Sequence, residues 1–188
     1  MSDTVRLTLI SHGMTAALRA ARFPDDEPLE ARALAVARAV PLRPPHRALR
    51  DHTARTEQTA VALGLKAAID PALADLDVGR WRGRSLDELP PGELQAWADD
   101  PSAAPHGGES IEDLLARVSR WLTTAATVGG STVAVTHPAV IRAVLITALQ
   151  AVPMAFWRID TPPLTATLLH ARSGRWTLRY VNSALEDR

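Results

Sequence analysis

The hydrophobic positions of this chain follow two different spacings. Short runs such as "VRLTLI" place Val5, Leu7 and Leu9 on one face, which is typical of a strand, whereas longer runs repeat every three or four residues, which is typical of an amphipathic helix. A Pro-rich segment that begins at Pro41 is expected to end one of the helices. The pattern predicts, by residue number, strands at 5–10, 47–50, 66–69 and 132–136, helices at 29–40, 53–63, 111–127 and 139–149, and a hairpin of 165–171 with 176–181.

The order of these elements predicts the fold class. Strands that alternate with helices are typical of an α/β fold, in which helices cover a mostly parallel central sheet. Residues 73–110 hold many of the glycines and prolines and are expected to form loops with one or two short helices. The sequence shows no repeat, linker or low-complexity segment, so residues 1–188 are expected to form a single domain.

Composition narrows the classes of protein and partner. Lys and Arg together number 21, as do Asp and Glu, and this balance gives no reason to expect a nucleic acid or a membrane surface as partner. The chain has no cysteine, which excludes disulfides, thiolate nucleophiles and cysteine-ligated metal sites. Since no apolar run suits a membrane span or a signal peptide, a cytoplasmic location is expected.

Two histidines follow predicted strands. His12 comes two residues after the first strand, and His137 comes directly after the strand "TVAVT". Because ligands of open α/β sheets bind outside the carboxyl ends of the strands, both imidazoles are expected at one edge, where Gly13 lets the backbone approach closely. The remaining histidines are expected at the surface, and they are His46, His52, His106 and His170.

An arginine follows a third predicted strand. In "RDHTARTEQTA", Arg55 falls in the first turns of the helix predicted at 53–63. An arginine beside the free amides of a helix start suits a phosphate or a carboxylate, although an exposed helix arginine would explain the residue equally well on its own. The two histidines favour the anion-binding interpretation.

Five segments together resemble a known family. They are "ISHGMT", "ARTEQTA", "LADLDVGRWRG", "PHGGES" and "VTHPAVIRAVL". In this order and at this spacing they are similar to the landmarks of the histidine phosphatase (phosphoglycerate mutase-like) superfamily, over residues 5 to 181. The resemblance implies a three-layer α/β/α sandwich. It also implies a metal-independent phosphomonoester hydrolase that acts on a small phosphorylated metabolite through a phosphohistidine intermediate.

The resemblance implies a role for each matched residue. His12 resembles the nucleophilic histidine that takes the phosphoryl group, and Arg55 resembles an arginine that clamps the phosphate. His137 resembles the second histidine, which binds the phosphoryl oxygens and stabilises charge in the transition state. Asp75 occupies the position of the glutamate that usually donates the proton. Glu109 is a second carboxylate, expected near the substrate and the other candidate for the acid.

Several positions depart from the family pattern. The signature normally reads Arg-His-Gly, and here Ser11 replaces the arginine, so a single neutral hydroxyl is expected beside Gly13 at the substrate instead of a charged fork. Met14 stands where a glutamate is frequent, and Pro138 replaces a glycine after the second histidine. The acid at Asp75 is one methylene shorter than the usual glutamate.

The missing arginine leaves three alternatives open. Another arginine supplies the charge, with Arg19, Arg22 and Arg142 as candidates, or the enzyme works weakly or on an unusual substrate, or the chain is a non-catalytic phosphoester binder. Because both histidines and Arg55 are present, hydrolysis is favoured over binding alone. Transfer to water is favoured over mutase activity because the chain is too compact for the segments that enclose a mutase intermediate.

A metal-dependent hydrolase is the competing enzyme class. It would use His12, His137 and Asp75 as metal ligands, but a positive charge at Arg55 would repel the cation. We therefore expect no metal and no other cofactor. The expected partner is a small phosphorylated substrate, and a homodimer is expected because members of the family are often dimeric.

Overall fold

Strands and helices alternate along the chain. The computed structural model describes residues 4–40 and 42–185. The strands are β1 (Val5–Ser11), β2 (Arg47–Arg50), β3 (Ala68–Ile69), β4 (Ser131–Thr136), β5 (Thr165–Arg172) and β6 (Arg175–Ala184). The α-helices are α1 (Ala16–Arg19), α2 (Ala31–Arg38), α3 (Ala54–Ala62), α4 (Pro91–Asp99), α5 (Ile111–Ala125) and α6 (Pro138–Leu149). Short 3₁₀ helices cover Pro71–Leu73, Gly79–Trp81, Leu86–Glu88 and Pro153–Arg158.

All of these strands belong to one sheet. Its order is β3-β2-β4-β1-β5-β6, and β3, β2, β4 and β1 run parallel. Strand β5 is antiparallel to both β1 and β6. β1 and β4 are central neighbours, with Leu9 opposite Ala134 and Ser11 opposite Thr136. Their carboxyl ends therefore meet at the same edge of the sheet.

Helices cover both faces of the sheet. Leu7 and Leu9 of β1 lie in one core cluster with the apolar faces of α5 and α6. Ile10 of β1 and Val135 of β4 point the other way, into a second cluster with residues of α2 and α3. Because successive strand residues face opposite sides, one strand contributes to both cores. The α/β fold with a mostly parallel sheet between helices is therefore confirmed.

Helix boundaries differ from the predictions by one or two residues. Helix α2 begins later than expected because Leu29 forms a bridge with Thr15 instead of a helical turn. The predicted stop at Pro41 lies outside the described residues, and the helix ends at Arg38. Helix α6 begins one residue earlier, at Pro138, since a proline at the first helical position loses no hydrogen bond.

The segment 73–110 is more ordered than the sequence suggests. It contains α4 and 3₁₀ turns, and its aromatic residues belong to the core. The expected surface position of His106 is wrong: this residue is 1% exposed, and its ring centroid lies 4.9 Å from that of Trp81. Within residues 4–40 and 42–185, no helix has both the length and the apolar character needed to cross a membrane.

Candidate active site

The carboxyl ends of β1 and β4 bring two histidines together. The backbone N–H of His12 donates to the carbonyl of Thr136 at 3.0 Å, which continues the strand pairing by one residue. The rings of His12 and His137 then meet edge to face, with their centroids 5.3 Å apart. Both residues are buried. The two histidines therefore share one edge of the sheet, although 125 positions separate them in the sequence (137 − 12 = 125).

A neighbouring carbonyl fixes the orientation and tautomer of His12. Its Nδ1 lies 2.8 Å from the carbonyl oxygen of Gly13, and since a carbonyl only accepts, we assign the ring proton to Nδ1. Nε2 then keeps the lone pair, and it makes no hydrogen bond to the described residues. Burial, together with the charge of His137, lowers the pKa of His12 from 6.5 to about 4. The ring is therefore neutral at pH 7.

Gly13 positions the histidine and is not itself placed to bind substrate. Its N–H already donates to Thr59 Oγ1 at 3.0 Å. A side chain at this position would press on α2, because a Cβ atom would lie 3.2 Å from the Cβ of Ala33. The glycine allows this close packing, and its carbonyl holds His12.

His137 contacts a buried carboxylate that the sequence analysis did not select. Its Nε2 lies 2.8 Å from Asp51 Oδ2, and both residues are 0% exposed. Nδ1 of His52 lies 2.7 Å from the other oxygen of Asp51. Burial by itself would raise the pKa of Asp51, but the contacts with His137 and His52 outweigh it and hold this pKa well below its usual range. Asp51 is therefore an anion that fixes the ring of His137 and stabilises any positive charge on it.

Replacing Asp51 by asparagine is expected to lower kcat on the order of 10²-fold, because His137 loses the charge that supports it in the transition state. The measurement is kcat for both proteins at pH 7, with circular dichroism to check that the variant folds. An unchanged kcat in the folded variant would contradict this role of Asp51, and Asp99→Asn, on the exposed side of α4, is the matched control.

Arg55 lies between His137 and Asp75. Helix α3 begins after Thr53, which places Arg55 in the first turn, where it is 3% exposed. Its Nε donates to Nδ1 of His137 at 3.3 Å, and its Nη2 donates to Oδ2 of Asp75 at 2.9 Å. Nη1 is buried without a hydrogen-bond partner among the described residues. A buried donor of this kind needs an acceptor, and an anionic oxygen supplies one.

Asp75 is the carboxylate that adjoins both histidines. It lines a cavity together with His12, and its Oδ2 lies 3.3 Å from Nδ1 of His137. Burial by itself would raise the pKa of Asp75, but the charges of His137 and Arg55 outweigh it and lower this pKa. In the unliganded protein, Asp75 is therefore ionised and paired with Arg55.

Glu109 does not reach this cluster. Its two oxygens pair with Nε and Nη2 of Arg117 at 2.9 and 2.8 Å. Nη1 of Arg117 donates in turn to the carbonyls of Ala72 at 2.8 Å and Ala74 at 3.0 Å, which come just before Asp75 in the loop. The structure thus disagrees with Glu109 as the acid or as a substrate contact. Glu109 supports the loop that carries Asp75.

Ser11 also points away from the histidines, contrary to the expected substrate contact. Its hydroxyl lies 2.5 Å from the carbonyl of Pro162 and accepts a hydrogen bond from the backbone N–H of Thr165 at 3.2 Å. The residue is 0% exposed. Ser11 therefore ties the end of β1 to the loop before β5, and the charge of the missing arginine is not replaced at this position.

Two of the three candidate arginines are already engaged elsewhere. Arg19 forms an exposed pair with Glu30, in which its Nη2 lies 2.6 Å from Oε2. Arg22 donates to the carbonyl of Gly83 through Nε at 3.0 Å and Nη2 at 2.7 Å. Arg142, on the first turns of α6, is the remaining candidate.

Two cavities adjoin Asp75, and they differ in character. The first, called the aromatic cavity below, has a volume of about 180 Å³, and its lining includes His12, Asp75, Arg142, Trp97, Phe156 and Trp157. The second, called the acidic cavity, has a volume of about 380 Å³, and its lining includes Arg55, Asp25, Asp26, Asp51, Asp75 and Asp77. Asp75 lies at their junction, because it lines both.

The carboxylates and histidines are not arranged as a metal centre. Within the described residues, no group of three or more His, Cys, Asp or Glu side chains is placed to hold a metal ion. Between His137 and Asp75, the guanidinium of Arg55 already occupies the position that a cation would need. The alternative in which His12, His137 and Asp75 bind a metal is therefore not supported.

Comparison with known proteins identifies the family of this chain. The sequence model described as "Histidine phosphatase superfamily (branch 1)" matches residues 7–184. The chain belongs to this superfamily. A histidine phosphatase relative, the glucosyl-3-phosphoglycerate phosphatase of Mycobacterium tuberculosis, is 32% identical over 175 residues, which cover 81% of this chain and 78% of the relative.

Solved phosphatase structures share the fold. A mycobacterial glucosyl-3-phosphoglycerate phosphatase complexed with VO3 superposes with a TM-score of 0.81 at 25% identity, over 95% of this chain and 99% of that one. A phosphoserine phosphatase from Entamoeba histolytica in complex with 3-phosphoglyceric acid gives a TM-score of 0.84 at 18% identity, over 96% and 98% of the chains. The family, the fold and the enzyme class, a phosphomonoester hydrolase, are therefore confirmed.

Proposed function

We propose that this histidine phosphatase transfers the phosphoryl group of a small metabolite to Nε2 of His12 and then to water. One observation carries the proposal: His12 is neutral, its Nδ1 is bound to Gly13, and its Nε2 makes no hydrogen bond to the described residues. A neutral imidazole nitrogen with a free lone pair, facing a cavity beside cationic groups, is suited to attack phosphorus.

The phosphoryl oxygens would be held by the groups around His12. Nη1 of Arg55 has no hydrogen-bond partner among the described residues, so it can donate to a phosphoryl oxygen. The ring of His137 lies beside the nucleophile, but in the unliganded protein its Nδ1 accepts from Nε of Arg55, so a phosphoryl oxygen contacts His137 only when it displaces this hydrogen bond. The buried guanidinium of Arg55 is fixed before the substrate arrives, and a donor fixed in this way stabilises the charge that spreads over the oxygens in the transition state.

Asp75 is the proposed proton donor. In the unliganded protein the charges of His137 and Arg55 lower its pKa. When a phosphate binds, it draws the guanidinium of Arg55 to itself and adds negative charge, so the pKa of Asp75 rises and the carboxyl group holds a proton.

The two half-reactions then balance. The lone pair of His12 Nε2 forms the N–P bond, the ester P–O bond breaks, and the leaving oxygen takes the proton of Asp75. In the second half-reaction water attacks phosphorus and gives its proton to Asp75. The N–P bond breaks, its electron pair returns to Nε2, and inorganic phosphate leaves.

The relatives support a metabolite substrate. The Mycobacterium tuberculosis relative is named for glucosyl-3-phosphoglycerate, a small phosphate ester. The second candidate is the non-catalytic phosphoester binder. It is favoured by the serine at position 11, because the pocket lacks the positive charge of the family's arginine and the Ser11 hydroxyl points away from it. The cytoplasmic location and the homodimer expected from the sequence stay predictions, as does the single domain.

Turnover of p-nitrophenyl phosphate by the wild-type protein tests the proposal. We expect hydrolysis at pH 6 to 7, and mass spectrometry of enzyme quenched during turnover should find a phosphoryl group on the peptide that contains His12. A phosphoramidate is lost in acid and kept in alkali, which separates it from a phosphoserine or phosphothreonine. Turnover without a phosphorylated protein would refute the intermediate, and tight binding without turnover would favour the binder.

A further inference from the structure

The charges of the two cavities decide where a leaving group fits. The acidic cavity is lined by five aspartates against Arg55 and Arg82, so it repels an anionic leaving group. The aromatic cavity contains two arginines, Arg22 and Arg142. Because Asp75 lies at the junction and protonates the leaving oxygen, the leaving group can extend from there into the aromatic cavity.

Arg142 lines the aromatic cavity and has unused hydrogen-bond donors. Its Nε donates to the carbonyl of Ile159 at 2.8 Å, and its Cζ lies 5.4 Å from the centroid of the Phe156 ring. These contacts fix the guanidinium plane, yet Nη1 and Nη2 make no hydrogen bond to the described residues. Arg22, in contrast, is exposed and spends both Nε and Nη2 on the carbonyl of Gly83.

The surroundings of Arg142 favour one anionic group of single charge. The residue is half-buried, and burial lowers its pKa although the charges of Asp160 and Asp75 act against this. A half-buried cation with unused donors gains from a hydrogen-bonded anion. A second phosphate would bring two negative charges to Arg142 close to two carboxylates, and the other arginine of the cavity, Arg22, is bound to the carbonyl of Gly83. A carboxylate, in contrast, matches the single charge of Arg142 and its paired nitrogens.

Glu27 does not oppose this assignment, although it also lines the aromatic cavity. Its Oε2 accepts a hydrogen bond from the backbone N–H of Asp25 at 2.8 Å, which holds the carboxylate in the loop before α2. The carboxylates whose charges act on the pKa of Arg142 are Asp160 and Asp75, and Glu27 is not among them.

The size and lining of the cavity limit the leaving group further. Its volume of about 180 Å³ lies below the range of roughly 300–1,000 Å³ that is usual for drug-sized ligands. Trp97 and Trp157 form a rigid wall, with ring centroids 4.4 Å apart. The cavity therefore suits a leaving group of a few carbon atoms that can lie against a flat apolar surface.

We propose that the leaving group of the substrate carries a carboxylate and that Arg142 binds it. The inference rests on the proposed hydrolase function, because it takes Asp75 as the residue beside the leaving oxygen. The site lacks the arginine that the family pattern places at position 11. Arg142 then supplies a positive charge at the other end of the substrate and does not bind the phosphoryl group.

Two phosphate esters of the same carbon skeleton test this proposal. 3-Phosphoglycerate carries a carboxylate where glycerol 3-phosphate carries a hydroxymethyl group. We expect the wild-type kcat/KM to favour 3-phosphoglycerate by about 10- to 100-fold, the value of a buried charge-assisted hydrogen bond. Arg142→Met should remove this preference, and Arg142→Lys, which keeps the charge but not the fork, should keep part of it.

Control variants distinguish a loss of carboxylate binding at Arg142 from a loss of folding or of catalysis. Arg158→Met removes an exposed arginine that does not line the cavity and should keep the full preference. Circular dichroism checks that each variant folds. Equal losses of Arg142→Met on both esters, or a wild type without preference, would overturn the carboxylate assignment.

A binding measurement tests the inference independently of turnover. Calorimetry gives the affinity of each ester for the His12→Asn variant and for the double variant that also carries Arg142→Met. A preference in binding that disappears with Arg142→Met supports the subsite even if neither ester is hydrolysed, and that result would overturn the hydrolase proposal alone. Equal binding of both esters would overturn the subsite, whatever the turnover.

Discussion

Replacing His12 by asparagine is expected to lower kcat by about 10⁴-fold or more, because the variant has no nitrogen lone pair to attack phosphorus. Asparagine is chosen since its amide N–H can still donate to the carbonyl of Gly13, which His12 Nδ1 contacts in the wild type. The measurement is the hydrolysis of p-nitrophenyl phosphate with both proteins at the same pH. Retention of more than a tenth of the wild-type rate would rule out His12 as the nucleophile.

A histidine at the opposite end of the sheet provides the matched control. His46 is exposed and contacts Ser131 at the start of β4, so His46→Asn should leave kcat within about twofold of the wild type. If both variants lose activity equally, the loss in His12→Asn is not specific to the nucleophile.

The pH dependence of stability tests the environment of His12 independently of activity. Because burial lowers its pKa from 6.5 to about 4, the unfolded chain binds this proton at a higher pH than the folded chain does. The wild type therefore keeps its full stability above pH 6.5 and loses about 3 kcal/mol from this residue as the pH falls to 4. Denaturant unfolding of wild type and His12→Asn should show a shallower pH dependence in the variant.

Replacing Asp75 by asparagine is expected to have an effect that depends on the leaving group. For an alkyl phosphate the loss in kcat/KM should reach about 10² to 10⁴-fold, because an alkoxide leaves poorly without a proton. For p-nitrophenyl phosphate the loss should stay below about tenfold, since the nitrophenolate leaves unprotonated. The variant also loses the pairing of Asp75 with Arg55, which can change phosphate binding. Because both substrates carry the same phosphoryl group, this change affects both and cancels in the ratio of the two losses.

Two neighbouring carboxylates serve as controls for Asp75. Asp77 pairs with Arg82 at 2.7 Å on the exposed part of the same loop, so Asp77→Asn should change neither rate by more than about twofold. Glu109 acts only through Arg117, so Glu109→Gln should lower both rates by the same factor. A loss that is equal for both substrates in Asp75→Asn would contradict its role as the proton donor.

Local pattern predicted the elements and several of the site residues. The period of the apolar residues identified β1, β4 and α5 to within two residues, because side-chain direction along one element depends only on nearby sequence. The position of His12 and His137 after parallel strands predicted that they meet, and their ring centroids lie 5.3 Å apart. The same rule could have identified Asp51, which directly follows β2 at that edge.

Contacts between distant segments could not be predicted. Ser11 and Pro162 are 151 positions apart, and no local pattern shows that the serine hydroxyl binds the carbonyl of this loop and not the substrate. The pairing of Glu109 with Arg117 is local, but its purpose depends on the carbonyls of Ala72 and Ala74. His106 was expected at the surface because its flanking glycines indicate a loop, and the tryptophans that bury it come from elsewhere in the chain.

The sequence by itself determined the order of strands and helices and the family, and its resemblance to that family selected His12, His137, Arg55 and Asp75 as candidate site residues. Each of these depends on residue type and on spacing along the chain. Only the tertiary structure decided that Asp75, not Glu109, adjoins the histidines and that Asp51 contacts His137. It also places Arg142 in a small aromatic cavity, where two of its nitrogens make no hydrogen bond to the described residues. These facts depend on which side chains satisfy one another across the fold, and a buried polar group takes whichever partner packing brings within reach.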